Sequence, residues 1–263
     1  MRSTANHARK QRGCGVAAPF YTPDMPVTPD TARASDVRAA LAELADPVRA
    51  AGAARYFKTG VGQYGAGDVF IGVTVPAVRG VVRRFRGLPL DEIDHLLDDS
   101  EHEHRLAGVL LLVAAYRGSP GDVVERYLRA VHRGRINNWD LVDASSEFIL
   151  GPWLRDRDRA LVRELAASGS LWERRVAVLA TFDFIRHGDA STTLELAELL
   201  LDDREDLIQK AVGWMLRETG KRVSRDTLTG FLDAHAAAMP RIMLSYATEH
   251  LDPADRARYR AMR

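Results

Sequence analysis

Cysteine is almost absent from the sequence: Cys14 is the single one, so no disulfide can form within the chain. Long apolar runs are also missing. The longest extends from Leu106 to Tyr116, whereas a membrane-spanning helix needs about 20 apolar residues. The basic N-terminus is not followed by the apolar stretch that a secretory signal requires. These absences predict a cytoplasmic protein without a membrane segment.

A large excess of positive charge is missing too. The sequence carries 37 Lys and Arg against 36 Asp and Glu, a formal net charge of +1. This balance excludes a uniformly basic nucleic-acid-binding protein. Nucleic acid stays a candidate partner only if the basic residues gather on one face, which depends on the register of the helices.

The chain divides into a short tail and a long helical part. Residues 1–30 hold four of the 11 prolines and predict a disordered tail, whereas residues 31–263 are expected to form a single domain. From Asp36 onward the apolar residues recur with the period of a helix, and the one segment that resembles a strand is Val69–Val75. The sequence therefore predicts an all-α fold, with helices at roughly 36–45, 47–57, 76–86, 90–98, 101–116, 121–133, 137–149, 158–168, 170–187, 190–201, 204–220, 225–238 and 240–251.

Two long segments of the sequence are similar to each other. LLDDSEHEHRLAGVLLL begins at Leu96, and LLDDREDLIQKAVGWML begins at Leu200. A helix pair with its two turns takes about 35 residues, near the low edge of HEAT-type repeats. The similarity predicts a HEAT-like helical-repeat solenoid, in which one helix of each pair lines a concave surface. Equivalent charged positions, spaced by this interval, are Arg105, Asp140, Arg175 and Lys210.

Three of these four equivalent positions are basic. A row of basic residues along a concave wall suits a phosphate backbone. On charge alone, a solvated helix face explains the row about as well. The charge pattern leaves both interpretations open.

Aromatic, acidic and basic side chains also recur on the helices expected to line the concave surface. Trp139 and Asp143 are four residues apart and share a helix face, and Arg175 and Trp214 follow on later helices. A carboxylate stabilises the oxocarbenium-like sugar that forms when an N-glycosidic bond breaks. Indole faces attract a cationic base by about 0.5–2 kcal/mol each. Tryptophan on an amphipathic helix is more often part of the core, so these residues alone do not decide the function.

Four segments resemble the AlkD family of DNA alkylation repair glycosylases over roughly residues 56–250. They are FIGVTVPAVR from Phe70, NNWDLVD from Asn137, WERR from Trp172 and IQKAVGWMLRE from Ile208. The resemblance implies a HEAT-like fold and the release of cationic N3- and N7-alkylated purines from duplex DNA. It also implies a reaction on a base that stays stacked, unlike the base extrusion of most glycosylases.

The resemblance implies roles for individual residues. It places the catalytic carboxylate at Asp143, the two tryptophans of the pocket at Trp139 and Trp214, and a phosphate contact at Arg175. Asn138 stands where the family has a second tryptophan, which leaves the substrate range open. Further residues expected to bind DNA are Arg174, Lys210, Arg217, Lys221, Arg79, Arg83, Lys58 and Arg241.

The sequence and the resemblance together predict a monofunctional alkylpurine DNA glycosylase. It is expected to act as a monomer on double-stranded DNA, associated with the nucleoid, in base excision repair. No metal or nucleotide cofactor is expected. The alternative is a HEAT-like module that binds DNA or an anionic protein without catalysis. Methylated purines and bulky adducts both stay open as substrates, as does a role in self-resistance.

Two other patterns are given less weight. Gly60–Gly65 matches G-x-G-x-x-G, but a dinucleotide site needs a preceding strand and a following helix. We therefore expect a flexible loop there, with Lys58 close to phosphate. Glu101-His-Glu-His104 contains metal-ligand residue types, but alternate residues of a helix point to different faces. This segment is expected to be an exposed helix start.

Overall fold

The structure is a computed structural model that describes residues 31–262, and the regular secondary structure of this part of the chain is helical. The helices are α1 (Ala34–Ala42), α2 (Pro47–Tyr56), α3 (Val75–Arg84), α4 (Leu90–Leu97), α5 (His102–Ala115), α6 (Pro120–His132), α7 (Trp139–Asp143), α8 (Ser146–Leu154), α9 (Ala160–Ala166), α10 (Leu171–Arg186), α11 (Ser191–Leu199), α12 (Asp206–Arg222), α13 (Arg225–His235), α14 (Arg241–Ala247) and α15 (Pro253–Ala261). The predicted disordered tail, residues 1–30, lies outside the described residues. None of the helices described is long and apolar enough to cross a membrane.

The helices stack as a helical-repeat solenoid, as the sequence predicted. Helix α10 packs against α8, α9 and α12, and α12 packs in turn against α11, α13 and α14. The most extensive contacts join helices one or two positions apart in the chain, which is the arrangement of repeat proteins. One continuous cluster of buried apolar side chains, from Ala32 to Tyr259, joins the repeats. The four equivalent charged positions fall on α5, α7, α10 and α12, as expected from their spacing.

One of the expected helices is divided in the structure. The single helix predicted over 137–149 is two helices, α7 and α8, separated at Ser145. The Ser145 hydroxyl is buried and bonds to the Tyr127 hydroxyl and to the Leu141 carbonyl, so tertiary contacts hold the break in place. The segment Val69–Val75 forms no strand, only one isolated parallel bridge from Val69 to Glu101.

The C-terminal part of the chain also differs from expectation. The helix predicted over residues 240–251 is shorter, because α14 begins at Arg241 and ends after seven residues at Ala247. A further helix, α15, follows it. It begins at Pro253, with the Asp252 carboxylate capping its first turn by accepting from the Asp255 amide.

The Glu101–His104 segment is not an exposed helix start. It does begin α5, but His102, Glu103 and His104 are all buried. The Glu103 carboxylate accepts hydrogen bonds from the backbone amides of residues 71–73, at 2.8–3.2 Å. These amides do not pair with a neighbouring strand, so the buried Glu103 carboxylate accepts their hydrogen bonds instead.

Gly213 allows α12 and α14 to approach closely. A Cβ atom there would lie 2.5 Å from the Met243 carbonyl oxygen and 2.7 Å from the Tyr246 Cβ. We expect Gly213→Ala to lower the free energy of unfolding by about 1–3 kcal/mol, because the two backbones would have to move apart. Chemical denaturation measures this change.

Gly230, in the middle of α13, gives a matched control. No atom lies within 4 Å of a Cβ built there. Gly230→Ala is therefore expected to stabilise the protein by about 0.5–1 kcal/mol through helix propensity alone. Equal stability of the two variants would show that the α12–α14 contact does not constrain residue 213.

Candidate functional site

A cleft of about 630 Å³ opens between one loop and four helices. Its walls are the 56–64 segment, the N-terminus of α7, the start of α10, the first half of α12 with the turn before it, and α14. The side chains that line it are aromatic or charged for the most part: Tyr56, Lys58, Gln63, Tyr64, Trp139, Arg175, Arg204, Glu205, Asp206, Leu207, Lys210, Ala211, Trp214 and Tyr246. Both predicted tryptophans of the site and the predicted arginine therefore face one cavity.

Trp139 begins the short helix α7. Its backbone amide donates to the side-chain oxygen of Asn138, the N-cap residue, at 2.9 Å. The indole stacks on Phe57 with ring centroids 5.3 Å apart, and it meets Tyr56 edge-on at 6.1 Å. These contacts fix the indole against the loop wall of the cleft and leave it partly exposed.

Asp143 lies one turn further along α7 and is held by Arg175. The guanidinium donates from Nε to Oδ1 at 2.9 Å and from Nη2 to Oδ2 at 2.8 Å, which is a bidentate pair. A third bond, from Nη1 to the Leu207 carbonyl at 2.6 Å, ties α10 to α12. Asp143 does not itself line the cleft, but 21 % of its side-chain surface is exposed. Burial raises the pKa of Asp143, and the charge of Arg175 opposes that rise.

Trp214 faces the cleft from α12. It contacts Phe182 edge-on, with ring centroids 5.7 Å apart. The neighbouring Gly213 brings α14 close, so Tyr246 lines the cleft next to the indole. Within the GWMLRE segment, Gly213 therefore allows α14 to pack closely, and Trp214 lines the cleft.

The end of α2 and the loop that follows it supply side chains that were not predicted from the sequence. Tyr56, Gln63 and Tyr64 line the cleft, and Tyr64 meets Trp172 edge-on at 6.0 Å. Burial raises the pKa of Tyr64, and a hydrogen bond from Trp139 opposes that rise. The one feature of the sequence that could have pointed to these residues is the group of aromatic residues around the glycine-rich loop. Such a group does not by itself indicate a binding site.

Lys58 belongs to this loop and has an unusual backbone. Its φ of 53° lies in the left-handed region, which residues other than glycine seldom adopt. The ammonium lies 5.7 Å from the centre of the Tyr64 ring and faces the cleft. Lys58 therefore lines the cleft, and its contact with phosphate stays a prediction.

The cations that line the cleft differ in how they are bound. Lys210 and Arg204 have no ion-pair partner among the side chains that the structure describes. Arg175, in contrast, directs its donors at Asp143 and Leu207. Arg105, the first of the equivalent charged positions, is buried and donates to Asp68 at 2.6 Å. A buried guanidinium needs a carboxylate partner, so Arg105 does not belong to a row of exposed cations.

The other residues expected to bind DNA lie outside the cleft lining. Arg79 and Arg83 are exposed on α3, and Lys221 lines a small second pocket beside His250. Arg241 donates to the Arg260 carbonyl at 2.8 Å. The two that remain are ion-paired: Arg174 with Asp203 at 2.7 Å, and Arg217 with Glu218 and Glu249.

One group of side chains in residues 31–262 has the composition and spacing of a metal site. Ligand atoms of Asp99, Glu101 and His104 lie within 4.8 Å of one another. However, the Arg38 guanidinium donates to Asp99 at 2.6 Å, and His104 Nδ1 contacts Glu101 Oε2 at 2.8 Å. A cation therefore already occupies Asp99, and the group is an ion-pair cluster at the α4–α5 junction.

Comparison with known proteins gives a family and a fold. The sequence model of a family described as DNA alkylation repair enzyme matches residues 37–251. A solved structure titled "Predicted DNA alkylation repair enzyme from Enterococcus faecalis" superposes with a TM-score of 0.64 at 20% sequence identity. The match covers 80% of this chain and 97% of that chain. At this identity the likeness shows the fold alone. No curated protein matches the sequence.

Proposed function

Because the chain belongs to the DNA alkylation repair enzyme family, we propose that it hydrolyses the N-glycosidic bond of cationic N3- and N7-alkylated purines in duplex DNA. The observation that carries the proposal is the Trp139–Asp143–Arg175–Trp214 arrangement at one cleft. It combines a carboxylate held by Arg175 with two partly exposed indoles. The product is a free alkylpurine and an abasic site.

The geometry supports a division of work between the carboxylate and the rings. An alkylated purine carries positive charge and leaves readily, so the barrier lies in the sugar cation that forms as the bond breaks. Asp143 stabilises that cation and orients the attacking water. Its bidentate contact with Arg175 fixes the direction of both oxygens, so little reorganisation is needed during the reaction. Trp139 and Trp214 pack against sugar and backbone and attract positive charge.

The unpaired cations of the cleft are the proposed phosphate contacts. Lys58, Arg204 and Lys210 face the cavity from three different segments. The reaction is proposed to take place on a base that remains stacked in the duplex. This point of mechanism rests on the resemblance to AlkD-like glycosylases.

DNA binding is expected to depend on salt through these cations. Lys210→Ala should reduce the slope of log K against log salt concentration by about 1, because one fewer counterion is released. Fluorescence anisotropy with an undamaged duplex at several salt concentrations measures the slope. Arg129→Ala is the control, since Arg129 is exposed on α6 and paired with Glu125. Equal slopes for the two variants would contradict a phosphate contact at Lys210.

Release of 7-methylguanine and 3-methyladenine from methylated duplex DNA tests the proposed function directly. Chromatography of the ethanol-soluble fraction identifies the free base, and alkaline cleavage of the DNA reports the abasic site. We expect both products in equal amounts. Duplex binding without release of these bases, or of a bulky N7 adduct, would favour the binding module instead.

A further inference from the structure

Asp68 is a buried carboxylate outside the cleft that joins three segments of the fold. It follows the loop that lines the cleft, and only 8% of its surface is exposed. Its Oδ1 accepts from Arg105 Nη2 at 2.6 Å and from Asn137 Nδ2 at 2.7 Å. Its Oδ2 contacts His102 Nδ1 at 3.1 Å and accepts from Asn138 Nδ2 at 3.1 Å. Four side chains on two other segments thus converge on one carboxylate.

His102 extends this cluster to α7. Its Nε2 lies 2.8 Å from the Asp140 carboxylate, while its ring stacks on Phe70 with centroids 4.4 Å apart. Burial lowers the pKa of His102, but hydrogen bonds to Asp140 and Asp68 outweigh burial and raise the pKa to about 9. At neutral pH the ring is therefore a cation that donates to both carboxylates.

The charges within the cluster balance. Asp68 and Asp140 are matched by Arg105 and the His102 cation. Burial raises the pKa of Asp68, but the hydrogen bond from His102 and the charge of Arg105 outweigh it, so the pKa is lowered. Each charge in the cluster has a neighbour of opposite sign, which favours a single arrangement of its members.

What the cluster holds is the turn of helix that carries the site. Helix α7 has only five residues, too few to fix its own position through helical hydrogen bonds. The side chains just before it, Asn137 and Asn138, both bind Asp68, and its second residue, Asp140, binds His102. Trp139 lies between these anchors, and Asp143 completes the same turn.

We propose that Asp68, acting with His102, is the positioning residue that fixes Trp139 and Asp143 relative to the loop wall of the cleft. Asp68 touches neither substrate nor the reacting atoms; it acts through α7. The catalytic part of this inference rests on the proposed glycosylase function. A displacement of about 1 Å is enough to slow an enzyme by up to about a hundredfold.

The test compares Asp68→Asn with Asp183→Asn. Asp183 is equally buried, at 8%, and is paired bidentately with Arg155 away from the cleft lining. Each substitution removes the negative charge of a buried carboxylate that pairs with an arginine, so both variants should be less stable than the wild type. At a temperature where both are folded, Asp68→Asn should slow single-turnover base release by about tenfold or more, and Asp183→Asn by less than about twofold. The Kd for undamaged duplex should stay within about twofold in both.

Hydrogen–deuterium exchange supplies a readout that does not need activity. Asp68→Asn should speed exchange in residues 137–145, whereas Asp183→Asn should leave this segment as in the wild type. Unchanged exchange there, or equal slowing of base release in both variants, would overturn the positioning role. If Asp68→Asn does not fold, Asn137→Ala removes one donor to Asp68 and should shift both readouts in the same direction by less.

The two proposals fail in distinguishable ways. Suppose that Asp68→Asn speeds exchange in residues 137–145 but the wild type releases no base. The positioning of α7 by Asp68 would then stand, and the glycosylase function would be rejected. If the wild type releases base but Asp68→Asn has no specific effect on rate or exchange, the glycosylase function would stand and the positioning role of Asp68 would be rejected.

Discussion

Asp143→Asn is expected to slow the release of 7-methylguanine by about a hundredfold or more, with the Kd for duplex DNA nearly unchanged. Asparagine keeps the shape of the side chain and a hydrogen bond with Arg175, but it cannot stabilise a sugar cation with a negative charge. The loss should appear in the single-turnover rate at saturating enzyme, since the charge acts in the transition state. Base release and anisotropy on the same duplex measure the two quantities.

Glu205→Gln is the matched control for this experiment. Glu205 is one of the carboxylates that line the cleft, and it is exposed. If every negative charge near the cleft contributed equally to the rate, both variants would be slowed by the same factor. An undiminished rate in Asp143→Asn would remove this carboxylate from the mechanism.

Arg175→Met is expected to lower the free energy of unfolding at neutral pH by about 3–5 kcal/mol, because it leaves the Asp143 carboxylate buried without its partner. Arg175 is 5% exposed and also bonds to Leu207, so α10 and α12 lose a link as well. Arg163→Met on α9 is the control. Its pair with Glu195 is exposed on both sides, so little change in stability is expected. Similar losses in the two variants would contradict a structural role for the Asp143–Arg175 pair.

The loss of stability in Arg175→Met is also expected to depend on pH. Burial raises the pKa of Asp143, and Arg175 opposes that rise, so its removal raises the pKa further. A carboxyl group with a raised pKa in the folded state favours folding when protonated, and that contribution is lost as the pH rises. The stability deficit of Arg175→Met should therefore shrink toward about pH 4, near the ordinary pKa of Asp. The acid limb of the rate profile should move to higher pH, and an unmoved limb would show that Asp143 is not the titrating group.

The repeat spacing predicted which helices meet, because side chains at equivalent positions of a solenoid lie on neighbouring helices. The prediction that Trp139 and Trp214 share a site rested on this stacking together with the resemblance to the AlkD family, and both side chains line one cleft. Spacing does not show how deep a side chain lies. Arg105 and Arg175 both look like surface cations in the sequence, and each is buried against a carboxylate more than 30 residues away. Pairing at that distance leaves no local pattern.

The loop side chains and the break before α8 were missed for a different reason. Tyr56 and Tyr64 come from outside the repeat, so no periodicity connects them to the cleft. The break at Ser145 depends on Tyr127, a fully buried residue on α6. Local propensity favours one continuous helix there, and a tertiary hydrogen bond overrides it.

The left-handed backbone of Lys58 has a consequence for attempts to make the protein more robust. A residue with a side chain costs about 1–2 kcal/mol in that conformation, and glycine adopts it freely. Glycines are plentiful in the following loop, yet the strained position carries a lysine whose ammonium faces the cleft. A screen for more stable variants is expected to select Lys58→Gly, which removes the cation from the cleft. Position 58 is thus a point where thermostability and use of the cleft are in opposition.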